Sequence, residues 1–363
     1  MIKGKLDALR VLIRDKGASA LILTKPSNMG YLLGYEDGVL AYLDSSTVKV
    51  VVPLLDYDRA MELIGSGVEV LAYSGYKLPV EGNFIFGSDE LARLVSSWVG
   101  QGSSVMVDDP NNQLISKALN AANAKPINAS ADIQDIRSVK SAEELELIKR
   151  AIDITLKVLD ELYSMRLVGM RERDVAAYIY QGLIRHGGDG LAFNPIVGSG
   201  PNGAKPHHTH SDRVIGEGET VVVDIGARYR LYCADVTRTL TTGGIEGRLR
   251  DAYEAVVEAS RSAIRAIKPG VKASDVDAEA RRVINEYGFS WGFIHSLGHG
   301  VGVEVHEKPL LGPSSSDTLR AGNVVTVEPG VYIKGVGGVR VENMVLVTEG
   351  GAEVLTRDRY AYV

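Results

Sequence analysis

The stretch "VGMRERDVAAYI", residues 168–179, returns 101 positions later as "PGVKASDVDAEA", residues 269–280, aligning Gly169 with Gly270, Asp174 with Asp275 and Val175 with Val276. Each copy follows a long helical pattern and precedes another, and glycine-rich loops and hairpin signals come after it. A unit repeated in this way predicts two similar α/β halves packed about a pseudo-twofold axis. A site at their junction draws residues from both. The first long helix has a defined start, because Ser141 followed by Glu144 makes a capping box.

Upstream of the repeat, helix and strand signals alternate. Leu6, Leu9 and Ile13 have helical spacing, and "SALILT" (19–24), "VLAYL" (39–43) and "VKVVVP" (48–53) read as strands. Further helices are expected near 56–64, 88–99 and 112–121. The expected fold class is α/β (α+β): a smaller N-terminal α/β domain, residues 1–130, and a larger domain, 131–363, holding the repeat. The boundary is placed in "AKPINASADIQDIRSVK". The first domain offers no cluster of metal-ligand or nucleophile types.

Each half of the repeat carries a valine-rich hairpin with two acids. In "VVVDIGARYRLYCADVTRTL" (221–240), Asp224 and Asp235 are symmetric about the point between Tyr229 and Arg230. A turn there places them opposite each other with Cβ atoms roughly 4.5–5.5 Å apart. In "VVTVEPGVYIKGVGGVRVENMVLV" (324–347), Glu328 and Glu342 are symmetric about Gly335. Like charges so close require a proton or a cation between them. Thr237, two residues past Asp235, shares its face, and Arg340 shares that of Glu342.

Six of the seven histidines crowd into two patches: His207, His208 and His210 in "KPHHTH", and His295, His299 and His306 in "HSLGHGVGVEVHE". Four inward carboxylates and an imidazole make an oxygen-rich site. It suits Mn²⁺, Co²⁺ or Fe²⁺, or Zn²⁺ with carboxylates, better than a thiolate site. It has ligands enough for two ions, the arrangement by which binuclear hydrolases activate a hydroxide and polarise a carbonyl. Cys233 is not needed for such a site and reads as buried.

Composition excludes other classes. The net charge is −6 with Lys and Arg scattered among the acids, so there is no basic footprint for nucleic acid. No run approaches the roughly 18 apolar residues of a membrane span, and "MIKGKLDALRVLIRDKG" lacks the apolar centre of a signal peptide. One cysteine permits no internal disulfide and fits a reducing compartment, so a cytoplasmic location is expected.

Together "VVVDIGARYRLYCADVTRT", "HSLGHGVGVEVHE", "VVTVEPGVY" and "GGVRVEN" resemble the pita-bread metallopeptidases (M24), and among them the Xaa-Pro group of prolidase and aminopeptidase P. The resemblance runs through 141–363, and "SNMGYLLGY" (27–35) resembles that group's extra N-terminal domain. It implies that Asp224, Asp235, His299, Glu328 and Glu342 hold two divalent metal ions, Mn²⁺ or Co²⁺ first, with Zn²⁺ or Fe²⁺ as alternatives. It implies that Asp235 and Glu342 bridge them. His207, His295 and His306 fall on positions that meet the substrate or the tetrahedral intermediate, and Arg340 on one that meets the substrate's carboxyl side. Glu328, His306 and His207 are therefore the catalytic candidates, and His295 and Arg340 the substrate-binding ones, while His186, His208 and His210 are read as surface residues. The implied activity is hydrolysis of the Xaa-Pro bond in small peptides with proline second, by a homodimer. A compact chain without a long C-terminal extension favours a dipeptidase. The alternatives are an aminopeptidase P acting on longer peptides and, less favoured, a silent homologue that binds protein or RNA.

Overall fold

The structure is a computed structural model and describes residues 2–80, 82 and 84–357. Its elements sort into two compact units, Met1–Arg137 and Ser138–Val363. The first is built on one seven-stranded mixed sheet with Ala20–Leu23 in its interior, antiparallel to Leu40–Leu43 and parallel to Ser104–Val107. Successive side chains of a strand face opposite ways. Leu21 and Leu23 accordingly pack with Leu9 and Ile13 of the helix Ile2–Asp15, while Ala20 and Ile22 join Leu91, Val95 and Leu119 on the other face. This two-sided burial is why "ALIL" reads as a continuous apolar run. The strands Glu69–Ser74, Ser104–Val107 and Lys125–Asn128 add to the sheet without a clear alternation in the sequence.

In the second unit the capping box at Ser141 is present, with Glu144 N donating to Ser141 Oγ and Ser141 N donating to the Glu144 carboxylate, and the helix runs Ala142–Ser164. The repeat has a matching backbone plan. Gly169 N donates to Ile215 O and Glu172 N to Arg213 O in the first half. In the second, Gly270 N donates to Leu319 O and Ala273 N to Asp317 O. Helices Glu172–Arg185 and Ala273–Glu286 start from these equivalent anchors. Each half then contributes a long hairpin, Thr220–Ile225 with Val236–Thr241 and Val324–Val327 with Asn343–Thr348. The halves meet where Glu342 N donates to Thr237 O and Arg340 N to Thr239 Oγ1. Among the described residues, no helix is long and apolar enough to cross a membrane.

The hairpin registers separate one sequence expectation from the other. In the second hairpin Val327 pairs with Asn343 and Gly330 with Arg340, which keeps Glu328 and Glu342 symmetric about Gly335. In the first, Asp224 pairs with Thr237, not with Asp235. The turn is formed by Arg230 and Leu231, both at positive φ (46° and 75°), with Tyr229 paired to Tyr232. It lies one residue later than the symmetric reading places it, so the two aspartates are diagonal neighbours on one face instead of direct partners.

Candidate active site

All nine residues singled out in the sequence line one cavity of about 460 Å³ in the second unit: Asp224, Asp235, Glu328 and Glu342, His207, His295, His299 and His306, and Arg340. Asp224 and Asp235 come from the first hairpin and Glu328 and Glu342 from the second, on either side of the seam between the halves. His299 is the centre of the short strand Gly298–Gly300. The glycines around it follow from close strand packing. A Cβ at Gly298 would lie 2.1 Å from Thr326 O, and one at Gly300 2.1 Å from Lys308 O. The same squeeze fixes the histidine: its N–H donates to Thr326 Oγ1 (3.0 Å), and Nδ1 lies 3.1 Å from Gly300 O. A proton on Nδ1 satisfies that carbonyl and leaves Nε2 as a lone-pair donor facing the acids. Nε2 lies 3.3 Å from Glu328 Oε1 and 3.6 Å from Asp235 Oδ2.

One donor atom each from Asp235, His299 and Glu342 lies within 4.8 Å of the others, and all three residues are buried. Asp224 and Glu328 flank this group. Asp224 turns Oδ2 to Arg340 Nη2 at 2.7 Å, while its Oδ1 is buried with no hydrogen-bond partner among the described residues. Thr237 Oγ1 donates to Glu342 Oε2 (2.8 Å) and accepts from Arg340 Nε (3.2 Å), so the expected face-sharing is realised as a relay between an acid and a cation. The electrostatics are strained. Burial pushes Asp235 well above the usual carboxylate range, and the charges of Glu342, Asp224 and Glu328 push it further. Burial does the same to Glu342, helped by Glu328 and Asp224. For Glu328 burial also acts upward, but the hydrogen bond and charge of His299, together with the charges of His295 and Arg340, outweigh it and hold the group low. Crowded, desolvated acids and an orphaned Asp224 oxygen are what a set of oxygen ligands looks like when judged by its own charges alone. The donor set fits a divalent cation.

Arg340 and His208 take partners that were not read from the sequence. Arg340 is buried, and its guanidinium is directed to Asp224, to Thr237, to Pro206 O (3.2 Å) and to the Tyr332 hydroxyl (2.8 Å). It is first of all the charge partner of Asp224. His208, read as a surface residue, is instead turned inward, with Nε2 2.9 Å from Glu172 Oε2. His207 and His306 are exposed at the cavity mouth, the His306 ring 4.3 Å from that of His299. Burial lowers the pKa of His295, and the desolvation His306 undergoes at the mouth, together with the charge of His299, lowers that of His306. Tyr332 was not picked out in the sequence. Its hydroxyl bridges Arg340 Nη1 and His295 Nε2 (3.0 Å), and burial pushes it to about 12. The signal was available: in the ladder that pairs Gly330 with Arg340 and Tyr332 with Gly338, Tyr332 has the parity of Arg340 and so shares its face.

Comparison with known proteins now decides the family. Residues 146–349 match the model of metallopeptidase family M24, and residues 5–139 match the creatinase/prolidase N-terminal domain. The chain belongs to metallopeptidase family M24. M24 relatives resemble it along nearly its whole length. The Xaa-Pro dipeptidase of Pyrococcus furiosus is 35% identical over 359 residues, covering 98% of each chain. The prolidase structure from Pyrococcus horikoshii superposes with a TM-score of 0.87 at 32% identity, covering 99% of this chain and 100% of that one. The X-Pro aminopeptidase structure from Thermotoga maritima reaches the same TM-score at 30% identity, covering 98% of both. The fold expected from the sequence, an N-terminal α/β domain followed by a pita-bread domain, is that of these M24 proteins.

Proposed function

We propose that this M24 enzyme is an Xaa-Pro dipeptidase, with Asp224, Asp235, His299, Glu328 and Glu342 holding two divalent ions, Mn²⁺ or Co²⁺ in preference to Zn²⁺ or Fe²⁺. The observation that carries the reading is the buried group of Asp235, His299 and Glu342 donors beside the orphaned Asp224 Oδ1, at the floor of a cavity flanked by three further histidines. Divalent ions bound there supply Lewis-acid polarisation of the scissile carbonyl and make a nucleophile available near neutral pH. Everything else falls to the chain. Glu328 Oε carries the proton from the nucleophile to the proline nitrogen, a tertiary amide nitrogen that must be protonated to leave. His306 and His207, at the mouth, donate to the developing oxyanion and the leaving side. His295, fixed by Tyr332 and by its own Nδ1 contact with Ser296 O (2.8 Å), orients the substrate. Arg340 holds Asp224 and contributes its positive charge to the substrate's carboxyl end.

The dipeptide preference draws support from the Xaa-Pro dipeptidase relatives. The X-Pro aminopeptidase likeness keeps the longer-peptide reading as the second one. Metal-stripped protein assayed with and without Mn²⁺ on Ala-Pro, Ala-Pro-Ala and Met-Ala-Ser separates them. Metal-restored cleavage of Ala-Pro alone is the expected result. Cleavage of Ala-Pro-Ala at its first bond moves the assignment to the aminopeptidase, and cleavage of Met-Ala-Ser alone removes the proline specificity. A cytoplasmic homodimer is part of the same proposal, and sedimentation of the purified chain tests the dimer.

A further inference from the structure

Glu172 is the first residue of the helix Glu172–Arg185 and is fully buried, yet it belongs to neither the acid cluster nor the cavity wall. Its carboxylate gathers in the loop 199–211. Oε1 accepts from the backbone N–H (2.9 Å) and hydroxyl (2.8 Å) of Ser199. Oε2 accepts from the backbone N–H (3.0 Å) and hydroxyl (2.6 Å) of Ser211 and lies 2.9 Å from His208 Nε2. The Asn202 amide reaches both oxygens, at 3.1 and 3.2 Å. The repeat supplies an internal control. Ala273 holds the equivalent place in the second half, makes the equivalent backbone bond and starts a helix of its own, so the helix start does not require an acid. What the first half adds is a loop folded around that acid, and the loop carries His207 to the cavity. Both neighbours of His207 are held: Pro206 O by Arg340 Nη1, and the His208 ring by Glu172. Beyond them, Val197 N donates to Thr209 O at 2.8 Å.

We infer that Glu172 is a positioning residue: through Ser199, Asn202, Ser211 and His208 it fixes the 199–211 loop and thereby sets His207 at the reacting centre. The inference rests on the dipeptidase reading for what His207 does there, and on the hydrogen bonds alone for how it is held. The test combines Glu172→Gln, His208→Ala and His207→Ala singly with each of the first two placed in the His207→Ala background. Because small misplacements of a working group are costly, Glu172→Gln and His208→Ala are expected to lower kcat/KM on Ala-Pro roughly ten- to a hundred-fold. In the His207→Ala background either change is expected to cost no more than about two-fold, since groups acting through one another are not additive. Hydrogen exchange of the metal-free protein is expected to quicken more at 205–211 than in the helix Ala142–Ser164 in both variants, because the helix feels only the loss of overall stability. Full-sized losses in the His207→Ala background would make Glu172 a general support of the fold and overturn the inference, as would loop exchange that quickens no more than that of the helix. His208→Ala removes one arm of the network only, and decides the matter if Glu172→Gln does not fold. A parent enzyme that fails to cleave Ala-Pro sinks the dipeptidase reading by itself, while the exchange comparison still reports whether Glu172 holds the loop.

Discussion

Replacing Arg340 with Met should expose how far the acid cluster depends on its internal cation. Arg340 is 3% exposed and Asp224 9%, and the two meet at 2.7 Å. Asp224 already has one buried oxygen without a partner among the described residues. Removing the guanidinium orphans the other and also takes a donor from Tyr332 and from Pro206 O. Breaking one side of a buried ion pair costs about 3–5 kcal/mol. At roughly 2–4 °C per kcal/mol for a unit of this size, the chelated variant should melt roughly 6–20 °C below the chelated parent. Arg340→Lys keeps the charge but not the planar fork, so it should fall between them. Adding Mn²⁺ should narrow the gap, because a ligand that binds only the folded state stabilises it in proportion to its affinity, and an Asp224 freed of its partner offers a cation more. Thermal unfolding followed by near-ultraviolet circular dichroism, with excess chelator and then with Mn²⁺, gives both numbers. A chelated variant that melts within about 2 °C of the parent would refute the reasoning, since the pair would then contribute under about 1 kcal/mol.

Four further outcomes are expected. Glu342→Gln should abolish metal-restored cleavage of Ala-Pro and lower the Mn²⁺ stoichiometry measured by calorimetry. Asp277→Asn should loosen His295, because Asp277 accepts from Leu297 N (3.0 Å) and grips Arg281, whose guanidinium donates to Phe293 O and His295 O; a fall of roughly ten-fold or more in kcat/KM with folding retained checks it. Glu172 is held down to about 2 from an ordinary 4.5: burial works against its charge, and the Ser211, Ser199, His208 and Asn202 donors outweigh it. A depressed carboxylate stabilises above its unfolded pKa and loses that contribution as pH falls through the folded one, so Glu172→Gln should be about 3 kcal/mol less stable near neutral pH, the gap closing below about pH 4.5, as urea titrations would register. Gly226→Ala should not yield soluble protein or should unfold at low urea, since its Cβ would fall 1.9 Å from Ala234 O.

How much of this was legible in the sequence depended on whether the information was local. The Glu328–Glu342 register was readable because the turn sits at Gly335, the symmetric point, where φ is +78° and a glycine is the natural choice. The Asp224–Asp235 register was not, because its turn residues are Arg230 and Leu231, types that do not advertise positive φ. The capping box at Ser141 was legible since both partners lie three residues apart. The donors to Glu172 lie 27 to 39 residues away, and nothing in "MRERDV" announces them. The same holds for Arg340, whose parity with Glu342 was readable while its commitment to Asp224, across the seam between the halves, was not.

Cys233 has a use that follows from where it lies. It is the sole thiol of the chain and is 3% exposed. Its backbone N–H donates to Gly302 O, and its Sγ lies 3.7 Å from Val303 O, on the segment leading to His306. A maleimide or aromatic disulfide can reach this buried sulfur only after the packing around it opens. The rate of labelling therefore becomes a stopwatch for local opening around Cys233, with no second cysteine to confuse the signal. Followed with and without Mn²⁺ or a bound dipeptide, it would show whether filling the cavity slows that opening, without any need for turnover.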